Sequence, residues 1–295
     1  MIRRLPHVDH TGIEERAAWL GKRSIKTTAK AQGIRLAVSM VDLTTLEGQD
    51  TAGKVRQLSA KAVCPAPTMP EIPSVAAVCV YPALVPTVHA ALEGSGVHTA
   101  AVSTGFPAGQ TSLAIKLKET EETVAAGADE IDMVISREAF LSGDDARVME
   151  EIVRVKEACG DAHLKVIIET AELGSYDHVR HASMLAMEAG ADFIKTSTGK
   201  AASGATPGVT LVMLEAIRDY VERTGRPVGM KAAGGVSNSK AALHRLVLVK
   251  ETLGDDWLTP DRFRIGASSL LNDLLLQYAK LDGGHYGRAE DFSKE

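Results

Sequence analysis

Short apolar, β-branched runs alternate with longer stretches of helical periodicity along most of the chain. The strand-like runs lie at 36–42 (LAVSMVD), 74–81 (SVAAVCVY), 98–103, 129–135 (DEIDMVI), 163–169 (HLKVIIE), 192–196, 227–231 and 263–267 (FRIGA). Between them lie helical patterns such as 111–126, where Leu113, Ile115, Leu117 and Val124 are expected to share one face. The same period predicts helices at 48–62, 82–94, 145–159, 176–189, 208–224 and 238–253, and a closing helix from Ser268 to about Lys280. Strands apolar almost throughout fit a parallel sheet covered on its outer face. Eight of them, each followed by a helix, predict an α/β fold: a single (β/α)8 TIM barrel. An open doubly wound sheet would call for a GxGxxG turn after an early strand, and none is present.

Residues 1–35 read as an N-terminal helical extension. Its span 13–32 carries Ile13, Ala17, Trp19 and Leu20 on an amphipathic helix expected to cap the barrel floor or a partner subunit. The barrel is expected over 36–281. The tail over 282–295 (DGGHYGRAEDFSKE) is polar, Gly-rich and expected to be mobile.

Composition narrows the function. The chain has 295 residues, 45% hydrophobic, enough to bury a large core. Thirty-three Lys and Arg against 38 Asp and Glu offer no polyanion-binding surface, so no nucleic acid partner is expected. No apolar run is long enough to span a bilayer. Three widely spaced cysteines without a CxxC argue against a disulfide framework and for a reducing, cytoplasmic setting. The histidines show no HxH or HExxH spacing, so no metal site is predicted.

In a parallel barrel, chemistry collects at the C-terminal ends of the strands. Lys195 (DFIKTSTGK) and Lys231 (GMKAAGG) end consecutive strands, so their amines should be neighbours at the mouth. Either lysine alone could be a strand-end side chain reaching for water. Two together are costly unless one is neutral, which is what a Schiff-base nucleophile requires. Lys195 follows Phe193 and Ile194, an apolar approach favouring its neutral form. Lys231 precedes a Gly-rich loop, where an anionic ligand would keep it charged. Asp132, inside an apolar strand with Asp129 and Glu130 before it, either shuttles protons or serves as a structural partner to a lysine. Gly234-Gly235 after strand seven and Gly266-Ala267-Ser268-Ser269 after strand eight stand where this fold cradles phosphate. Asp42, Thr44 and Thr45 end strand one, suited to sugar hydroxyls or, for the threonines, to a helix cap. Cys79 on strand two is either inward-facing near the site or a packed small hydrophobe.

The stretches VDLTTLEGQDT, AVCVYP, GADEIDMVI, KVIIETAEL, GADFIKTSTGK, GMKAAGGV and RIGASSLL, in this order over roughly 38–280, closely resemble the deoxyribose-phosphate aldolase family. FIKTSTGK is the most specific of them. The resemblance implies a class I, cofactor-free and metal-free aldolase that reversibly cleaves 2-deoxy-D-ribose 5-phosphate to acetaldehyde and glyceraldehyde 3-phosphate. It implies small phosphosugar and aldehyde substrates and a homodimer as the assembly. It makes Lys195 the Schiff-base lysine, Lys231 the second lysine and Asp132, not Asp129, the proton relay. It places phosphate around Gly199, Lys200, Gly234, Gly235, Gly266, Ser268 and Ser269, with Asp42, Thr44 and Cys79 near the substrate. The chain departs from the family at Ala232, often proline, and at Ser237, often arginine, which bears on phosphate binding; the tail's Tyr286 is given no role. A phosphosugar isomerase or epimerase would share the cradle but use a carboxylate or histidine base. A non-catalytic metabolite-binding barrel would have no use for two lysines and an aspartate at the mouth.

Overall fold

The computed structural model describes residues 6–201, 204–283, 288, 292 and 293. Eight parallel strands close in sequence order: β1 (Val41–Thr44), β2 (Ala77–Val80), β3 (His98–Ser103), β4 (Glu130–Val134), β5 (His163–Ile167), β6 (Phe193–Lys195), β7 (Gly229–Ala233) and β8 (Phe263–Ala267). β8 returns to β1 through Asp42 opposite Gly266, which completes the barrel. The helices are α1 (His10–Leu20), α2 (Thr27–Ser39), α3 (Ala52–Val63), α4 (Val85–Leu92), α5 (Leu113–Ala125), α6 (Arg137–Leu141), α7 (Asp145–Cys159), α8 (Tyr176–Glu188), α9 (Pro207–Thr224), α10 (Ser239–Leu253) and α11 (Leu270–Gly283). Among the described residues, no helix is long and apolar enough to cross a membrane.

The sequence reading needs correction in three places. The first strand was expected at 36–42, but 36–39 is the end of α2 and the strand is Val41–Thr44. Ile34, Ala37 and Val38 are buried at helical spacing, so a short apolar run there is a helix face and not a strand. The helix expected over 13–32 is two, α1 and α2, with residues 21–26 between them. α1 packs on α9 and α10, and Trp19 on it is 58% exposed. Third, the buried side of α5 carries Lys116, Thr120 and Thr123, while Ile115 is exposed. Lys116 is held there by Ser136 at 2.6 Å and Glu151 at 2.7 Å, so a polar cluster occupies part of the helix layer. α2 runs through the expected boundary at 35/36 and leads into β1. Most of the expected tail, with Tyr286, lies outside the described residues, but Phe292 packs against the main core and the Ser293 carbonyl accepts from Lys61 Nζ at 2.6 Å.

Alternation along each strand sends one set of side chains to the helices and the other to the barrel axis. Val41, Leu43, Ile131, Met133, Ile194, Met230 and Ile265 belong to the main apolar core. Inside, Ala77, Cys79, Ala100 and Val102 form a small apolar wall with Leu46, packed by Tyr81 and Phe106. Opposite it the axis holds Asp42, Glu130, Asp132, Lys165, Lys195, Lys231 and Arg264, all fully or almost fully buried. Two glycines make room for side chains here. A Cβ on Gly229 would come within 2.4 Å of the Phe193 ring, and one on Gly266 within 2.9 Å of Lys231 Cε.

Candidate active site

The register of β6 on β7 sets Lys195 opposite Lys231, and that of β4 on β5 sets Asp132 opposite Lys165. Their side chains converge on one carboxylate. Asp132 Oδ2 accepts from Lys195 Nζ at 2.7 Å and Lys231 Nζ at 2.8 Å, and Oδ1 accepts from Lys165 Nζ at 2.9 Å. Lys231 Nζ also lies 2.7 Å from Asp42 Oδ2. Beneath them Arg264 donates to Asp42 Oδ1 at 2.7 Å and to Glu130 Oε1 at 2.9 Å, and Lys165 pairs with Glu130 at 2.5 Å. His98, half-exposed at the start of β3, makes a 2.7 Å hydrogen bond to Glu130.

The charges do not balance if every group is ionised: four cations face three carboxylates. Burial would raise Asp132, but Lys165, Lys195 and Lys231 together hold it well below the carboxylate range. Burial likewise opposes ionisation of Glu130, yet Lys165 and Arg264 hold it well below its ordinary value. Among the lysines the balance differs. Burial disfavours charge on Lys231, but Asp132 and Asp42 together drive its pKa well above the ordinary value. Lys165 is raised in the same way, by Asp132, Glu130 and Asp42 against burial. Lys195 has Asp132 alone; burial outweighs it, Lys231 adds repulsion, and its pKa is lowered. A neutral Lys195 leaves three positive charges on three negative ones.

Above the lysines opens a cavity of about 460 Å³ at the C-terminal ends of the strands. Lys195, Lys231 and Thr44 line it, together with Gly199, Lys200, Gly234, Gly235, Gly266, Ser268 and Ser269. Every residue expected at a phosphate cradle therefore borders the same space as both lysines. Gly234 and Gly235 take φ of +82° and +100°, open to glycine and strained for other residues. Ser268 and Ser269 immediately precede α11, so the N–H groups of its first turn would favour an anion there. Ser237 lines this cavity too, and its cations are Lys54 and Lys200 besides the catalytic candidates. Lys54 Nζ donates to Asp50 at 2.6 Å and Thr45 at 2.9 Å, and Lys200 Nζ to Glu47 at 2.8 Å. Thr44 Oγ1 donates to the Asp42 carbonyl at 2.8 Å.

Two expected residues lie below the cavity surface. Asp42 is wholly buried, paired with Lys231 and Arg264, and so shapes the charge of Lys231 from beneath. Cys79 is also wholly buried, its Sγ 3.9 Å from Asp132 Oδ2, and burial raises its thiol pKa. Asp129, by contrast, accepts from the Thr99 N–H at 2.8 Å, away from the lysines.

Sequence reasoning missed Lys165, Arg264 and Glu169, and it passed over Glu130. Lys165 and Arg264 had a signal: each is a lone cation in an otherwise apolar barrel strand. A charge there belongs on the axis, because the other face meets the helices. Glu169, just past β5, had none. It is buried with φ +52°, a left-handed conformation costing about 1 kcal/mol or more for a non-glycine residue. Its Oε2 accepts from the Thr198 N–H at 3.1 Å and Thr198 Oγ1 at 2.5 Å. The strained residue thus anchors the Thr198–Gly199–Lys200 turn that borders the cavity. Among the described residues no cluster of His, Cys, Asp or Glu is arranged to hold a metal ion.

The profile of the DeoC/LacD family aldolases matches residues 36–275. The deoxyribose-phosphate aldolase of Mus musculus is 47% identical, over 96% of this chain and 93% of that protein. The human protein of that name is 45% identical over the same shares. A crystal structure of a putative deoxyribose-phosphate aldolase from Toxoplasma gondii superposes with a TM-score of 0.77 at 25% identity, covering 88% of this chain and 99% of that one. A deoxyribose phosphate aldolase from Aeropyrum pernix, described as a unique tetramer, gives 0.67 at 25% identity, with 85% and 97% covered.

Proposed function

This chain belongs to the DeoC/LacD aldolase family, and from that premise we propose that it is a class I deoxyribose-phosphate aldolase whose Schiff-base lysine is Lys195. The observation that carries the residue assignment is the unequal sharing of carboxylates: of three lysines around Asp132, only Lys195 is driven towards its neutral, nucleophilic form.

Breaking C2–C3 of an aldehyde sugar leaves an electron pair on C2 that needs a sink. Neutral Lys195 Nζ attacks C1, and loss of water from the carbinolamine gives an iminium. Lys231, kept protonated by Asp132 and Asp42, stabilises the developing alkoxide and can supply the proton that leaves with water. The C3 hydroxyl then gives up its proton towards Asp132 as C2–C3 breaks, releasing glyceraldehyde 3-phosphate. The electron pair becomes the C1=C2 bond of an enamine. Protonation at C2 and hydrolysis of the iminium release acetaldehyde and restore Lys195. The glycines and serines at the mouth, with Lys200, hold the phosphate and contribute binding energy remote from the bond that breaks.

A coupled assay for glyceraldehyde 3-phosphate, followed by borohydride trapping with acetaldehyde and peptide mass spectrometry, tests both parts. Aldehyde release with an ethyl group on Lys195 alone supports the proposal. A label on Lys231, in a Lys195→Ala protein that still cleaves, overturns the residue assignment.

The unpaired Cys64, Cys79 and Cys159 support a cytoplasmic setting. For the assembly we retain the homodimer that the family resemblance implies. A light-scattering mass twice the 31.3 kDa of the chain supports it, and a monomer or tetramer overturns it.

A further inference from the structure

A second cavity, a groove of about 710 Å³, runs along the outside of the barrel between α1, α2 and the first half of α10. It shares no lining residue with the mouth cavity, although Ser237 of the mouth and Asn238 of the groove are consecutive. Its charged lining is almost all of one sign. Arg23, Lys30, Lys240 and Arg245 face a single carboxylate, Asp273, which is already taken by the Ser239 N–H at 2.5 Å. Among the described residues Lys30 meets only the neutral amide of Gln277, at 3.2 Å. Arg23 is met from outside the groove by Glu251 at 3.2 Å, and its guanidinium lies 4.9 Å from the centre of the Trp19 ring.

Arg245 carries the argument. It is 4% exposed, its Nη2 donates to the Ala205 carbonyl, and its Nε has no partner. The other buried guanidiniums face carboxylates: Arg264 has Asp42 and Glu130, and Arg180 has Asp219. Among the described residues Arg245 has none, and burial unrelieved by a counter-charge lowers its pKa to about 10. A buried cation with an unused donor and no counter-charge, in the lining of a groove whose cations outnumber its carboxylates, is a site that lacks its anion.

We propose that this groove binds a small organic phosphate, its phosphoryl group held by Arg245 and Lys240. Its apolar body lies along Leu20, Ile25 and Leu243. The groove takes a phosphomonoester in preference to a neutral metabolite, because its cations outnumber its one carboxylate and that carboxylate is occupied.

The test does not depend on the reaction assigned to the mouth. The chain has two tryptophans, so Trp257→Phe leaves Trp19, beside Arg23, as the fluorescent reporter. This protein is titrated with a nucleoside 5′-monophosphate and with the corresponding nucleoside. A saturable change in Trp19 emission with the monophosphate, weakened at least tenfold by the exposed Lys240→Glu and unaltered by Ser268→Glu at the mouth, is the expected result. No saturable change, equal binding of the nucleoside, or an unchanged midpoint in Lys240→Glu overturns the proposal. So does loss of the signal in Ser268→Glu, which would place the anion at the barrel mouth.

Discussion

Replacing Lys231 by methionine removes one positive charge while keeping most of the side-chain volume. Its amine and that of Lys195 bond the same oxygen, Asp132 Oδ2, at 2.8 and 2.7 Å. At ordinary hydrogen-bond angles the two nitrogens are then about 4.5 Å apart. With an effective dielectric constant near 20, their repulsion when both are charged is about 4 kcal/mol. Relaxation and water entry reduce this, and roughly half of it still favours protonated Lys195 about 30-fold more strongly than before. The remaining network points the same way: three carboxylates would face Lys165, Arg264 and Lys195, so a charged Lys195 restores balance. Schiff-base formation at neutral pH should fall by one to two orders of magnitude. It should recover as the proton concentration is lowered by a similar factor. The assay is the rate of borohydride-trapped ethylation of Lys195 by acetaldehyde, measured across pH in wild type and variant. A variant slowed equally at every pH, with no alkaline displacement of its profile, would refute the electrostatic role of Lys231.

Gly266→Ala should crowd Lys231 Cε and lower the rate for deoxyribose 5-phosphate with or without its phosphate, whereas Ser268→Glu should raise KM chiefly for the phosphorylated substrate; steady-state kinetics on both sugars separates them. Glu169→Gln should keep a near-normal KM, because an amide oxygen can still accept from Thr198; Glu169→Gly should relieve the left-handed backbone yet raise KM several-fold, and equal KM values in both would remove its positioning role. Ser237→Arg, restoring the cation often found in the family, should lower KM for the phosphorylated substrate several-fold, and an unchanged value would show that Lys54 and Lys200 already suffice. Asp42, Glu130 and Asp132 have depressed pKa values, so their stabilisation is complete above the ordinary carboxylate range and fades as pH falls through the depressed values. Asp132→Asn should therefore flatten the acid limb of Tm against pH, and a limb parallel to that of wild type would contradict this.

Periodicity alone determined the barrel, because strands covered on both faces must be apolar throughout and helices lying on them apolar every third or fourth residue. It failed where length was the only arbiter: LAVS at 36–39 has the composition of a strand but is the last buried turn of α2. It also failed on α5, where Lys116, a charge no pattern would bury, is inside because Ser136 and Glu151 meet it from elsewhere in the chain. The two strand-end lysines were legible for the same reason as the barrel, since topology brings consecutive strand ends together. Their distinction was not. The sequence suggested that Lys195 is neutral because its strand is apolar and that Lys231 is charged because an anion binds nearby. In the folded chain the difference comes from the carboxylates each amine reaches: Asp132 alone for Lys195, and Asp132 with Asp42 for Lys231. Asp42 lies on the first strand and Arg264, which anchors it, 222 residues later on the last, so only barrel closure sets them together. A charge's strength is written in the residue, but its pKa is set by the few ångströms around it, and those distances exist only in the closed barrel.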